Sequence, residues 1–102
     1  MNKIYLIKSL NEGVYKIGVS KSPNIRVQSI QTGNPSEIQI LEVFESEHAY
    51  KIETALHNRY KHYKVHGEWY ELSINEETSF LKTCVKIEET INYLKKVGNP
   101  FI

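Results

Sequence analysis

Two short β-type runs near the start of the chain constrain its fold more than any other feature. Residues 3–8 and 14–20 are rich in isoleucine, valine and tyrosine, and the intervening Asn11-Glu12-Gly13 has the composition of a turn. Runs of this kind around a short polar turn form β-hairpins. The sequence therefore predicts that the fold begins with two antiparallel strands.

The length of the hairpin loop decides which side chains share a face. With a loop of two or four residues, Tyr5 and Lys16 point from the same face of neighbouring strands, because side chains alternate along a strand. With a loop of three residues, Tyr5 pairs with Tyr15 instead. The sequence leaves this register open.

The segment after the hairpin predicts a helix and then a third strand. Ser22 and Pro23 have the pattern of a helix N-cap followed by the first helical residue, and Gly33 has that of a helix end. Residues 38–44 carry apolar side chains on both faces, which is typical of a central strand. The residues expected on the inner face of the helix are Ile25, Ser29 and Ile30.

The second half of the chain predicts two more helices around a short strand. Apolar residues at helical spacing indicate a helix from about residue 47 to 63, and residues 68–72 form a short strand or edge segment. A final helix extends from an N-cap at Asn75 to Lys96, and Gly98-Asn99-Pro100 ends it. Its expected inward-facing residues are Phe80, Leu81, Cys84, Ile87, Ile91 and Leu94.

The order β-β-α-β-α-β-α predicts an α/β (α+β) fold. We expect a small mixed, mainly antiparallel sheet of three to four strands flanked by helices. The 102 residues, 40% of them hydrophobic, are enough for a single domain over residues 1–102. No apolar run is long enough for a bilayer, and the first residues do not resemble a signal peptide. One cysteine, Cys84, excludes an internal disulfide and fits a cytoplasmic protein in which Cys84 is a core residue.

Basic residues are concentrated in two segments although the net charge is only +1. Lysine and arginine dominate residues 1–36 and 50–66, whereas residues 67–92 hold six glutamates. If the two basic segments share a face, that face attracts phosphate groups, and DNA is the expected partner. The expected DNA-contacting residues are Lys8, Lys21, Arg26, Arg59, Lys61 and Lys64.

Several side chains suit the hydrolysis of a phosphodiester. Arg26 falls in the first turn of its predicted helix, where the helix N-terminus favours an anion and a guanidinium can bind phosphate in two-pronged fashion. Glu53 and His57 are four residues apart and so share a helix face, where a carboxylate can hold one Mg²⁺. Tyr5 is a candidate base, and Gly18 would let a phosphate approach the backbone. Each of these residues alone also fits an ordinary structural or surface role.

Taken together, these residues resemble the GIY-YIG nuclease superfamily, and within it the short phage- and mobile-element-type branch. Lys3-Ile4-Tyr5 stands for the first motif, Lys16-Ile17-Gly18 for the second and Gly67-Glu68-Trp69-Tyr70 for the last. Arg26 and Glu53 match the motif arginine and the helix glutamate. The resemblance covers residues 3–72, with residues 75–97 as an accessory helix.

The resemblance implies a metal-dependent DNA endonuclease. It implies Mg²⁺ or Mn²⁺ on Glu53, Arg26 on the scissile phosphate, Tyr5 near the attacking water, and His57 moving protons or orienting phosphate. Because Lys16 replaces the tyrosine of the second motif, the general base remains open among Tyr5, Lys16 and Tyr15. The expected catalytic residues are Tyr5, Lys16, Arg26, Glu53 and His57, with Tyr15, Gly18 and Glu68 as a second tier.

Two other interpretations remain open. The chain could be a catalytically silent nucleic-acid-binding module, or a protein-interaction domain that uses the aromatic strip from Tyr60 to Tyr70. As a nuclease it offers little surface for a long recognition site, since specific protein–DNA interfaces bury about 1,000–2,500 Å² of protein. It would then cut with little sequence preference, favour single-stranded or distorted DNA, or act as a dimer.

Overall fold

The computed structural model describes residues 1–98 and begins with the expected hairpin. The strands are β1 (Lys3–Ser9), β2 (Val14–Ser20), β3 (Ile38–Glu45), β4 (Lys64–His66) and β5 (Trp69–Tyr70). The helices are α1 (Pro23–Thr32), α2 (Ala49–Arg59), α3 (Ile74–Thr78) and α4 (Phe80–Lys96), with a 3₁₀ turn over Lys61–Tyr63. The helix stop expected at Asn99-Pro100 lies outside the described residues.

The strands form one sheet in the order β3-β1-β2-β5-β4, and every neighbouring pair is antiparallel. The predicted α+β architecture, with an antiparallel sheet flanked by helices, is confirmed. The sheet has five strands rather than three to four, because the chain reverses at Gly67 and pairs β4 with β5. Gly67 has φ of +52°, a conformation that glycine adopts without the steric cost of a side chain.

The hairpin register places the key side chains on one face. Ser9 pairs with Val14, which leaves a four-residue loop between them. Tyr5 consequently lies opposite Gly18, and Lys16 lies two positions along the same face of β2. This is the register that brings Tyr5 and Lys16 together, and Tyr15 points to the opposite face.

Helices cover both faces of the sheet, so the core has two parts. On one face, Tyr5 and Ile7 pack with Val27 of α1. On the other face, a larger cluster joins β1 and β2 to α2 and α4. Its largest fully buried members are Ile4, Leu6, Ile52, Leu56, Tyr60, Phe80 and Cys84. Burial raises the pKa of the Cys84 thiol to about 12, as expected for a core residue rather than a nucleophile.

The third strand is an edge strand, and its predicted central position is wrong. The strand has apolar residues on both faces because helices cover both faces even at the edge, and because a bulge occurs at Leu41. The bulge shifts the pairing between Leu6 and Ile7, so Ile40 faces α1 whereas Leu41 faces the larger cluster.

Several helix details also differ from the prediction. Ile25 is 68% exposed, and α1 instead buries Pro23 and Val27. The second helix ends at Arg59 rather than at residue 63, where a 3₁₀ turn leads into β4.

The last helix is divided into α3 and α4, and Ser73 rather than Asn75 is the N-cap of α3. The Ser73 side chain accepts a hydrogen bond from the Glu76 N–H, while the Glu76 carboxylate accepts one from the Ser73 N–H. This Ser-x-x-Glu capping box was readable in the sequence. Leu81 is exposed rather than inward-facing. Within residues 1–98, no helix combines the length and apolar character needed to cross a membrane.

Candidate active site

One cavity of about 170 Å³ collects residues from widely separated parts of the chain. It lies where the β1–β2 hairpin meets α1, α2 and the turn between β4 and β5. The lining residues are Tyr5, Lys16, Ile17, Gly18, Val19, Arg26, Glu53, His57 and Glu68. All five residues of the expected catalytic set are among them, together with Gly18 and Glu68 from the second tier.

Gly18 makes room for the side chain of Tyr5. The Tyr5 ring lies directly over Gly18, so a Cβ atom built at Gly18 would overlap the phenol oxygen and approach ring carbon Cε2 to 2.9 Å. The ring itself is buried, with 2% of Tyr5 exposed. The phenol therefore fills the space that a side chain at position 18 would take, while Gly18 still lines the cavity and the approach of a phosphate there stays a prediction.

We expect Gly18→Ala to displace the Tyr5 hydroxyl, because the added methyl group would overlap it. Forcing a methyl group into this packing should also lower the free energy of unfolding by about 1–3 kcal/mol. Gly33→Ala is the matched control, since Gly33 has open space around it and a negative φ. Thermal unfolding of the two variants checks this expectation, and equal stability would contradict it.

Lys16 is held in place by two contacts. Its ammonium group lies 2.5 Å from Oε2 of Glu68 and 6.0 Å from the centre of the Trp69 ring. The side chain of Lys16 is only 14% exposed, whereas that of Glu68 is 74% exposed. The hydrogen bond from Lys16 holds the pKa of the Glu68 carboxyl below its usual value. Lys16 therefore presents a fixed positive charge to the cavity, and an exposed carboxylate covers it.

Glu53 and His57 reach the cavity from the same face of α2. Burial raises the pKa of the Glu53 carboxyl, the neighbouring Glu68 adds to this effect, and His57 and Lys16 oppose it. His57 Nε2 lies 3.1 Å from the backbone oxygen of Ile17, so Nε2 is the donor in this contact and Nδ1 is the nitrogen left for another partner. The imidazole also stacks on Tyr70, with ring centres 5.8 Å apart.

The contribution of Ile17 was not expected from the sequence. Its backbone oxygen orients His57, and no residue-type signal announces such a contact. Trp69 is half-buried and packs against the cluster of Tyr5, Ile7 and Val27.

Arg26 brings its guanidinium to the cavity from the first turn of α1. The side chain is exposed, and no carboxylate among residues 1–98 forms an ion pair with it. The first turn of α1 also contains no acidic residue. The guanidinium is therefore accessible to an anion such as a phosphate group.

Tyr15 is not part of this cavity. It lies on the opposite face of the sheet, where its hydroxyl donates a 2.6 Å hydrogen bond to Glu77. Lys8 belongs to the same cluster, with its ammonium 3.6 Å from the Glu77 carboxylate and 5.2 Å from the centre of the Tyr15 ring. The Tyr15 cluster attaches α3 to the sheet.

The residues expected to contact DNA do not all surround the cavity. Arg26 lines it, whereas Lys8 is engaged in the Tyr15 cluster. Arg59 lines a separate groove between α2 and α4. Lys21, Lys61 and Lys64 are exposed, and Lys64 lines a third groove beside β4.

The donors at the cavity fit a hard cation such as Mg²⁺ or Mn²⁺. Among the described residues, no three His, Cys, Asp or Glu side chains form a complete ligand cluster. Mg²⁺ does not need one, because it keeps several waters and takes substrate phosphate oxygens beside one or two carboxylates. A cation would also favour the ionised form of Glu53 against the burial that raises its pKa. The donor set does not supply the four ligands of a structural zinc site.

The chain belongs to the T5orf172 domain family, whose model matches residues 2–91. This phage-associated family is related to GIY-YIG and homing-endonuclease-like folds. No curated protein and no solved structure matches the chain.

Proposed function

We propose that this protein is a metal-dependent DNA endonuclease of the GIY-YIG type that hydrolyses phosphodiester bonds. The observation that carries the proposal is the convergence of Tyr5, Lys16, Arg26, Glu53 and His57 on one cavity. These residues come from two strands and two helices, and an ordinary surface would not bring a phenol, two cations, a carboxylate and an imidazole together. The membership in a family related to nuclease-like folds supports the same function.

Arg26 and Lys16 bind and orient the scissile phosphate in this proposal. Arg26 is the exposed, accessible cation, and its planar guanidinium suits a two-pronged contact with phosphate oxygens. Lys16 adds a second positive charge from the hairpin. Positive groups fixed in advance stabilise the charge that develops on the phosphate oxygens in the transition state.

Tyr5 exchanges a proton with the attacking water. The Tyr5 ring lines the same cavity as the positively charged Lys16 and Arg26. Lys16 is less suited to be the base, because its ammonium group is already bound to the Glu68 carboxylate. His57 orients the phosphate or relays a proton through Nδ1. A divalent cation held by Glu53 would supply further positive charge beside the phosphate.

The decisive experiment incubates the purified protein with labelled single-stranded, double-stranded and branched DNA. Each substrate is tested with Mg²⁺, with Mn²⁺ and with EDTA. We expect cleavage with either metal and none with EDTA. Binding without cleavage under every condition would instead favour the silent binding module, and the absence of both would favour a protein-interaction domain.

Arg26→Ala should lower the rate at which bound DNA is cut by roughly 10²–10³-fold, the scale measured when a transition-state donor is removed. Single-turnover cleavage at saturating protein measures this rate separately from binding. Arg59→Ala is the control, because Arg59 has the same charge but lines the groove between α2 and α4. If Arg26→Ala weakens DNA binding while bound DNA is cut at the normal rate, Arg26 only positions the substrate.

A further inference from the structure

The two partners of the Lys16–Glu68 ion pair differ in exposure, and this difference suggests how DNA enters the site. Lys16 belongs to a central strand of the sheet and lies near Trp69, and its side chain is mostly buried. Glu68 lies on the turn between β4 and β5, and most of its side chain is exposed. Only the carboxylate of the pair is therefore free to move away.

Glu68 also places negative charge where a phosphate must bind. It lines the same cavity as Arg26 and Glu53. A carboxylate on Lys16 offers two oxygens to an ammonium group, as a phosphate does. An incoming phosphate would thus meet a site whose lysine is already neutralised and whose rim repels it.

We propose that the Glu68 carboxylate occupies the place of a substrate phosphate on Lys16 and is displaced when DNA binds. This inference rests on the proposed function and adds a means by which the site excludes weakly held anions. Exposed ion pairs are weak, so a polyanion that contacts Arg26 at the same time can displace Glu68. Isolated phosphate ions and other small anions lack the additional phosphate contacts that a DNA strand makes and compete poorly.

The inference predicts a gain of affinity from Glu68→Gln, which a merely structural role would not produce. Binding is measured in EDTA with a fluorescein-labelled DNA oligonucleotide, so that cleavage does not interfere. We expect the dissociation constant to fall by about two- to fivefold, the range that corresponds to an exposed ion pair. The dependence of binding on salt should also become steeper by up to about one phosphate contact, because Lys16 no longer exchanges one protein carboxylate for the phosphate.

Glu71→Gln is the matched control. It changes the net charge by the same amount, but Glu71 is exposed and lines the groove beside β4 rather than the cavity. A general charge effect would raise the DNA affinity of both variants equally, and that result would overturn the inference. A loss of affinity in Glu68→Gln would overturn it as well, since it would make Glu68 a support for Lys16.

The Lys16→Met background separates release of Lys16 from simple removal of a repulsive charge. If Glu68 acts by occupying Lys16, most of the gain from Glu68→Gln should disappear when Lys16 is absent. An undiminished gain in that background would contradict the proposed displacement. These results are distinguishable from failure of the proposed function, because a wild-type protein that binds no DNA at all would remove the nuclease proposal before any variant is compared.

Discussion

Glu53→Gln is expected to lower metal-dependent cleavage by roughly 10³-fold or more. A catalytic cation stabilises the transition state by several kcal/mol, and each 1.4 kcal/mol corresponds to about a factor of ten in rate. Glutamine keeps the size of the side chain but lacks the charge that holds the cation. Single-turnover cleavage with Mg²⁺ and with Mn²⁺ measures the loss. Glu89→Gln is the control, since Glu89 is an exposed helix carboxylate outside the cavity.

The same variant should lose metal binding in the absence of DNA. Calorimetric titration with Mn²⁺ reports this directly and does not depend on activity. The Glu53→Gln protein should remain folded, because replacing a half-buried carboxylate whose pKa is raised by burial with a neutral isostere removes a desolvated charge. Unchanged cleavage and unchanged Mn²⁺ affinity would together exclude Glu53 as the metal ligand.

Local sequence patterns predicted which residues line the site better than they predicted how those residues are packed and paired. The spacing of Tyr5, Lys16, Arg26 and Glu53 identified residues that the fold brings to one cavity, although their roles stay predictions. The hairpin register could not be read, since it depends on a loop length of four residues that the turn composition allows but does not require. The packing of Tyr5 over Gly18 follows only from that register.

The tertiary features that were missed have physical causes beyond local sequence. Whether a strand is central or at the edge depends on which partners it finds, and the bulge at Leu41 gave β3 the apolar pattern of a buried strand. Ile25 is as apolar as Val27, so the sequence could not show that the sheet would bury Val27. The pairing of Glu68 with Lys16 joins positions far apart in the chain and leaves no periodic signal.

Tyr5→Phe is expected to lower the cleavage rate by roughly 10²–10⁴-fold, the contribution typical of general acid–base catalysis. The ring and its packing over Gly18 are kept, so the free energy of unfolding should change little. Lys16→Met keeps the aliphatic length and removes the charge. It should lower the cleavage rate less than Tyr5→Phe does if Lys16 only binds phosphate. A larger loss in Lys16→Met, accompanied by loss of the rising limb of the rate–pH profile, would assign the base to the lysine instead.

Tyr15→Phe should instead lower stability and leave the cleavage rate unchanged. Its hydroxyl donates to Glu77 on the other face of the sheet, so removing it should cost about 1 kcal/mol of stability and leave cleavage unchanged. Thermal unfolding and single-turnover cleavage are therefore measured on both variants. Tyr5→Phe should lose cleavage rate, and Tyr15→Phe should lose stability. A rate loss in Tyr15→Phe at full stability would contradict the assignment of the Tyr15 cluster to structure. If neither variant loses rate, no tyrosine of the hairpin is the base, and His57 becomes the residue to test.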